Sequence, residues 1–176
     1  IALEAIDQAA LNFGMPMGPA ELTDTVGLDV SLSVSKVFAK EFNKKIPESL
    51  TRLVAAGKLG RKTGEGFYRY QDGKPVKDNK RARNMPGDLQ DRLILPMINE
   101  AVAVLRESIV ADADLLDAGV IFGTGFAPFR GGPINFIRAT GVAGLKQRLE
   151  KLATTHGERF KPDAGWDLPT LKEPKA

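Results

Sequence analysis

Gly14-Met-Pro-Met-Gly-Pro-Ala-Glu-Leu-Thr-Asp-Thr-Val-Gly-Leu-Asp29 decides the fold, because a degenerate copy of it returns near the other end of the chain. The stretch Gly132-Pro133-Ile-Asn-Phe-Ile-Arg-Ala-Thr-Gly141-Val142 lies under Gly18-Pro19 to Gly27-Leu28 without a gap, at a constant offset of 114 residues. With small insertions the match continues upstream. Ile6-Asp7 leads to Gly14 and Pro16 in the first copy, and Leu116-Asp117 leads to Gly125 and Pro128 in the second. Each copy reads as a helix, a Gly/Pro elbow and a further helix, since Gly admits positive φ and a Gly-Pro pair imposes extended geometry before a new helix.

The second copy follows a long helical pattern from Asp88 to Val110, with apolar residues at Leu89, Leu93, Ile94, Met97, Ile98, Ala101, Val102, Leu105 and Ile109. That spacing describes one broad buried face. Its counterpart in the first copy falls mostly before Ile1, so the first repeat is expected to lack its opening helix and the chain to be a fragment of a longer protein. The expected division is a first repeat with its connecting arm at 1–84 and a second repeat with the tail at 85–176.

The 176 residues, 43% hydrophobic and 27% charged, suffice for one domain or two small ones. No apolar run has the length of a membrane span. The absence of cysteine excludes disulfides and thiolate sites. A formal charge of +3 is mild for nucleic-acid binding. The basic group Lys74, Lys77, Lys80, Arg81 and Arg83, without interleaved aromatic residues, reads as a solvated linker.

Helices are expected at Ala2 to Phe13, Ala20 to Val26 and Val30 to Phe42. The last is capped by Asp29, with Val30, Leu32, Val34, Val37, Phe38 and Phe42 mostly inward. Another runs from Pro47 to Gly57. Lys58 to Tyr70 is glycine-rich and basic, yet it has neither the spacing of a Walker loop nor that of a dinucleotide fingerprint, and Gly123-Thr-Gly125 fails likewise at Pro128. The first loop reads as a turn into a short strand or arm anchored by Phe67, Tyr68 and Tyr70. In the second half, Asp88 is a candidate N-cap, and Pro96 either kinks the helix or delays its start. Glu100 borders the apolar face and Asn99 points further round. Asp112 or Asp114 caps a helix ending near Gly123. Helices follow at Ile134 to Ala139 and Val142 to Leu152, and a tail wraps the helices before fraying at Lys172 to Ala176.

Catalytic side chains are scarce. His156, the single histidine, reads as a surface residue, and Asp24 and Asp29 read as helix-cap and turn residues. No ligand set for a metal and no activated nucleophile are apparent. The residues alone describe a helical tandem repeat without catalytic machinery of its own.

The first elbow, followed by Gly60-Arg-Lys-Thr-Gly-Glu-Gly-Phe-Tyr68, resembles the C-terminal helical domain of L-3-hydroxyacyl-CoA dehydrogenases. The second copy, with Asn99-Glu100 and Gly123-Thr-Gly-Phe-Ala-Pro-Phe-Arg-Gly-Gly-Pro133, is similar to the extra repeat of multifunctional fatty-acid oxidation proteins, which fuse the dehydrogenase to an enoyl-CoA hydratase. The resemblance implies an all-α fold, a tandem repeat of the helical domain at the C-terminus of 6-phosphogluconate dehydrogenase, with a glycine-rich aromatic arm between repeats. It also implies NAD as cofactor of the parent protein, bound with the catalytic His and Glu by a Rossmann domain outside this chain, so that no catalytic or cofactor-binding residue is expected here. The substrate-orienting Asn is not transferred to Asn99. The expected role is a wall of the acyl-CoA cleft, with Met15, Pro16, Met17, Gly18 and Pro19 as candidates. The implied partners are the Rossmann domain, an acyl-CoA, and a second copy or a thiolase subunit. The implied location is cytoplasmic in a bacterium and mitochondrial or peroxisomal in a eukaryote. A non-catalytic docking module, or the helical domain of another NAD-dependent hydroxyacid dehydrogenase, are the alternatives.

Overall fold

The computed structural model describes residues 1–42 and 45–172. The chain forms two compact units, one of residues 1–8 and 17–85, the other of residues 9–16 and 86–176. Residues 9–16, expected in the first repeat, thus pack with the second unit. The reason is Phe13, 3% exposed, whose ring meets those of Phe126 and Phe136 edge-on at 5.4 and 5.3 Å. Burying a ring of that size stabilises by about 1.5–3 kcal/mol.

The first unit starts with the N-terminal part of α1 (Leu3–Phe13) and continues through α2 (Pro19–Val26), α3 (Leu28–Phe42) and α4 (Glu48–Ala55). Pro19 opens α2, and Gly27 ends it with φ of 108°. The arm that follows contains a two-residue antiparallel hairpin, β1 (Tyr70–Gln71) with β2 (Lys74–Pro75), paired Tyr70 to Pro75 and Gln71 to Lys74. The all-helical expectation therefore gives way to a mostly helical fold. The short α5 (Asn79–Arg83) is capped by Asp78, whose side chain accepts from the Lys80 amide.

Helix α3 differs from the sequence expectation in two ways. It begins at Leu28, and Asp29 lies inside its first turn, where both carboxylate oxygens accept from Lys62 Nζ at 2.6 and 2.7 Å. Leu28 is buried and Leu32 half-buried, but its other large apolar residues fail to turn inward. Val30, Val34, Val37, Phe38 and Phe42 are exposed, Val37 by 62%. Their spacing places them on one stripe of the helix, so the amphipathic pattern is real but faces away from the core of its unit.

The second unit is built on α6 (Leu89–Arg106), which runs unbroken past Pro96. It is followed by α7 (Ala113–Thr124), α8 (Pro133–Thr140) and α9 (Val142–His156). Asp112 caps α7 by accepting from the Leu115 amide, which decides between the two candidate caps. Ile98, Val102, Ile134, Ile137, Leu145 and Leu149 are fully buried, together with Phe160, Trp166 and Leu171 from the tail. The tail lacks periodicity because it consists of short 3-10 turns, and Asn99 holds it. Asn99 Oδ1 accepts from the Trp166 Nε1 at 2.7 Å and from the Asp163 amide at 2.9 Å, while its Nδ2 donates to the Lys161 carbonyl. The fraying expected at Lys172 to Ala176 concerns, beyond Lys172, residues outside those described.

Candidate functional site

The two elbows share one construction. In the first unit Asp7 on α1 accepts from the Ala20 amide in the opening turn of α2 at 2.8 Å. In the second, Asp117 on α7 accepts from the Ile134 and Asn135 amides in the opening turn of α8, at 2.7 and 3.0 Å. A helix N-terminus carries unpaired amides and partial positive charge, so a carboxylate there satisfies both. The cap comes from the preceding helix, since the residue before each Pro is Gly and has no side chain to offer. Those glycines are also required sterically: a Cβ on Gly18 or Gly132 would overlap Asp7 or Asp117. The aligned Asp…Gly-Pro pattern is thus a helix-docking device.

The carboxylates differ in their further partners. Asp7, 1% exposed, also accepts from Tyr68 Oη at 2.9 Å and from Lys77 Nζ at 3.0 Å, and Lys77 reaches Glu21 at 2.6 Å. Burial opposes the charge on Lys77, but Glu21 and Asp7 more than restore it, so its pKa lies above the ordinary lysine value. Burial and the Asp7 hydrogen bond push the Tyr68 hydroxyl far up. Lys77, expected in a solvated linker, is therefore the countercharge of a buried site. Asp117 accepts in addition from Asn135 Nδ2 at 2.8 Å. Burial raises its pKa, against the pull of the Ile134 and Asn135 donors.

Asp24, expected as a helix-cap or turn residue, is fully buried and binds the arm. Its oxygens accept from the Phe67 amide at 2.8 Å, the Tyr68 amide at 2.9 Å and Tyr70 Oη at 3.2 Å. Gly60 and Gly66 are small because Asp24 lies against both. The glycine-rich loop thus directs amides at a carboxylate the chain itself supplies. A dinucleotide phosphate would meet that negative charge, and these residues do not fit NAD.

The elbow candidates occupy distinct environments. Met15 is half-buried against the core of the second unit, and Pro16, exposed, belongs to that unit too. Met17 and Pro19 are half-buried in the first unit, and Gly18 is buried under Asp7. Met15, Pro16, Met17 and Pro19 are therefore the ones with side-chain surface to present. Asn99 acts on the tail, and Glu100 is exposed.

His156 is not the plain surface residue expected. Its Nε2 lies 2.7 Å from Asp88 Oδ2, joining the end of α9 to the start of α6, and this hydrogen bond lowers the Asp88 pKa. Asp88 consequently makes no side-chain cap on α6. Distant partners of this kind leave no trace in local spacing, whereas the equivalence of Asp7 and Asp117 was visible in the repeat. Among the described residues, no cluster of three or more His, Cys, Asp or Glu side chains could hold a metal ion, and no helix is long and apolar enough to cross a membrane.

Residues 1–70 match the family model described as the C-terminal domain of 3-hydroxyacyl-CoA dehydrogenase. Residues 1–70 belong to this family of helical dehydrogenase domains, and the chain is homologous to a region of the fatty acid oxidation complex alpha subunits. It is 36% identical over 179 residues to the fatty acid oxidation complex subunit alpha of Shewanella amazonensis, covering 93% of this chain and 25% of that protein. For the same subunit of Shewanella halifaxensis the identity is 38% over 176 residues, with the same coverage. The chain therefore spans about a quarter of the length of the curated relatives it matches. Its fold is similar to part of 3-hydroxybutyryl-CoA dehydrogenase from Escherichia coli, with a TM-score of 0.74 at 21% identity, covering 97% of this chain and 55% of that one. The dehydrogenase part of multifunctional enzyme 1 from C. elegans matches with a TM-score of 0.61 at 17% identity, covering 92% of this chain and 40% of that one.

Proposed function

We propose that this chain is the substrate-cleft and assembly part of an NAD-dependent 3-hydroxyacyl-CoA dehydrogenase, within a multifunctional protein of fatty-acid β-oxidation. The parent reaction converts (S)-3-hydroxyacyl-CoA and NAD into 3-oxoacyl-CoA and NADH. Hydride transfer belongs to a Rossmann domain elsewhere in the parent protein, which binds NAD and carries the catalytic His and Glu, and an enoyl-CoA hydratase is fused to it. The two units are tandem repeats of the helical domain type found at the C-terminus of 6-phosphogluconate dehydrogenase, divided near residue 84. The shared Asp…Gly-Pro device supports that reading.

The chain's own contribution is to form an apolar surface that excludes water from the reacting acyl group. Met15 to Pro19 supply part of that wall. The observation that carries the assembly role is the apolar stripe of α3, with Val30, Val34, Val37, Phe38 and Phe42 exposed on one helix. Large exposed apolar patches mark interaction surfaces. The stripe docks the catalytic domain, a second copy or a thiolase subunit. In a bacterium the assembly is cytoplasmic; in a eukaryote it is mitochondrial or peroxisomal.

The test follows NADH absorbance with 3-hydroxybutyryl-CoA and NAD, using this chain alone and the full-length protein that contains it. NADH is expected from the full-length protein and not from the chain. Activity of the chain alone would sink the division of labour, and an inactive full-length protein would sink the dehydrogenase reading.

A further inference from the structure

Helices α3 and α9 correspond residue for residue. Each is 15 residues long and follows an eight-residue helix that Gly-Pro opens and a Gly of positive φ closes, Gly27 at 108° and Gly141 at 102°. The constant offset of 114 therefore carries Leu28–Phe42 onto Val142–His156 without a gap.

Their neighbours correspond on two sides. α9 packs on α8 and on the tail turn at Glu158–Phe160, and α3 packs on α2 and α4. The third side differs. There α9 lies against α6: Arg148 Nε donates to Asp91 at 2.7 Å, His156 Nε2 lies 2.7 Å from Asp88, and Leu152, one turn from each, is buried. The matching residues of α3 are Val34, Phe42 and Phe38, and all three are exposed. Val30 and Val37 continue the stripe and match Gly144 and Lys151, which are exposed in α9 as well. The stripe thus marks the side on which the second unit has a helix and the described residues of the first unit leave α3 open.

We propose that, in the full-length protein, an amphipathic helix from the segment preceding Ile1 lies along α3 as α6 lies along α9. The proposal rests on the chain being part of a longer protein, not on dehydrogenase activity. The curated relatives support that premise, since the chain spans about a quarter of their length. α7, the counterpart of α1, begins at Ala113 soon after α6 ends at Arg106. A helix as long as α6, joined to α1 in the same way, falls within about 30 residues of Ile1.

The seat also sets the chemistry of its occupant. α6 offers carboxylates to Arg148 and His156, whereas Val34 and Phe42 have no partner for a charge. A carboxylate covered by them would be desolvated without compensation. The helix on α3 therefore carries apolar residues at the positions that Asp88 and Asp91 hold in α6. Of the occupants open to an apolar stripe, the repeat favours this one.

Photocrosslinking of the full-length protein carrying Phe38→p-benzoylphenylalanine tests the proposal, because the excited ketone captures only C–H bonds in direct contact. Mass spectrometry is expected to find an intramolecular cross-link to a peptide within about 30 residues before Ile1. Capture of the catalytic domain, a second copy or a thiolase subunit, or no capture, overturns the proposal. So does a coding sequence with no room for a helix before Ile1. Amide exchange supplies a second readout, taken where the 176-residue chain is monomeric. Phe38→Lys is expected to speed exchange along α3 at least about tenfold in the full-length protein and to leave it unchanged in the 176-residue chain. Equal effects in both also overturn it. NADH formation by the full-length protein reports on the dehydrogenase reading alone, so either can fail without the other.

Discussion

Asp117 occupies the space that a side chain at Gly132 would need. Its two hydrogen bonds to the first turn of α8 draw it there, and Gly132 itself holds φ of 99°, where L-residues are strained. Gly18 stands in the same relation to Asp7, but with φ of −73°. Gly132→Ala therefore combines overpacking with backbone strain and is expected to cost about 3–4 kcal/mol, while Gly18→Ala, overpacked only, costs about 1–3 kcal/mol. Urea unfolding of the two variants measures the difference. A reversed order would contradict the extra backbone strain assigned to Gly132.

Asp117 itself makes a prediction about acid. Burial raises its folded pKa above the ordinary value of 3.8. The folded state then holds the proton more tightly than the unfolded one, so this residue's contribution is greatest below the unfolded pKa and declines as pH rises through the folded pKa. Asp117→Asn should remove that decline. Comparing urea midpoints of parent and variant between about pH 3 and pH 6, the gap is expected to be widest at the acid end. A gap that widens with rising pH would refute the direction of the shift.

Lys77 stands between two carboxylates, one of them buried, and its removal leaves Asp7 without its countercharge. Lys77→Met is expected to cost about 2–3 kcal/mol, less than for a fully enclosed pair because the lysine is partly solvated. In an Asp7→Asn background the same change should cost clearly less, which a double-mutant cycle measures. The pH dependence lies at the alkaline end. With its pKa raised, the Lys77 contribution is complete below 10.5 and is lost as pH climbs through the folded value. Equal cost in both backgrounds would show that Lys77 acts on something other than Asp7.

The arm depends on Asp24. Asp24→Ala leaves the Phe67 and Tyr68 amides without acceptors and is expected to cost about 2–3 kcal/mol. Hydrogen exchange should show these two amides losing protection while the Ile134 amide, bonded to Asp117, keeps its own. Protection unchanged at Phe67 and Tyr68 would mean that the arm is held by packing instead.

The likeness of the two elbows was legible because their device is local: an Asp on one helix, then Gly-Pro at the mouth of the next. Most helices were legible for the same reason, and their ends moved by a few residues only. What stayed hidden is long-range pairing. Asp24 looks like any helical aspartate until the arm folds back more than forty residues later onto it. Asn99 and Trp166 are 67 residues apart, and neither has a local signal for the bond between them. His156 and Asp88 pair across 68 residues in the same way. Periodicity also could not tell the two sides of α3 apart, because an apolar stripe is equally apolar whether it meets a core or a partner.

That stripe leads to the last prediction. Phe38 and Phe42 stack with centroids 5.7 Å apart while each stays more than half exposed, so two rings remain in water on a single helix face. Exposed apolar area costs about 25 cal/mol per Å², a standing drive to cover it. The chain is therefore expected to self-associate in light scattering as concentration rises. Val34→Lys with Phe38→Lys should abolish this without lowering the melting temperature, since neither side chain supports the core of its own unit. A monomer at all concentrations would leave the stripe without a role in self-assembly. A lowered melting temperature in the double variant would show instead that the stripe stabilises the unit that carries it.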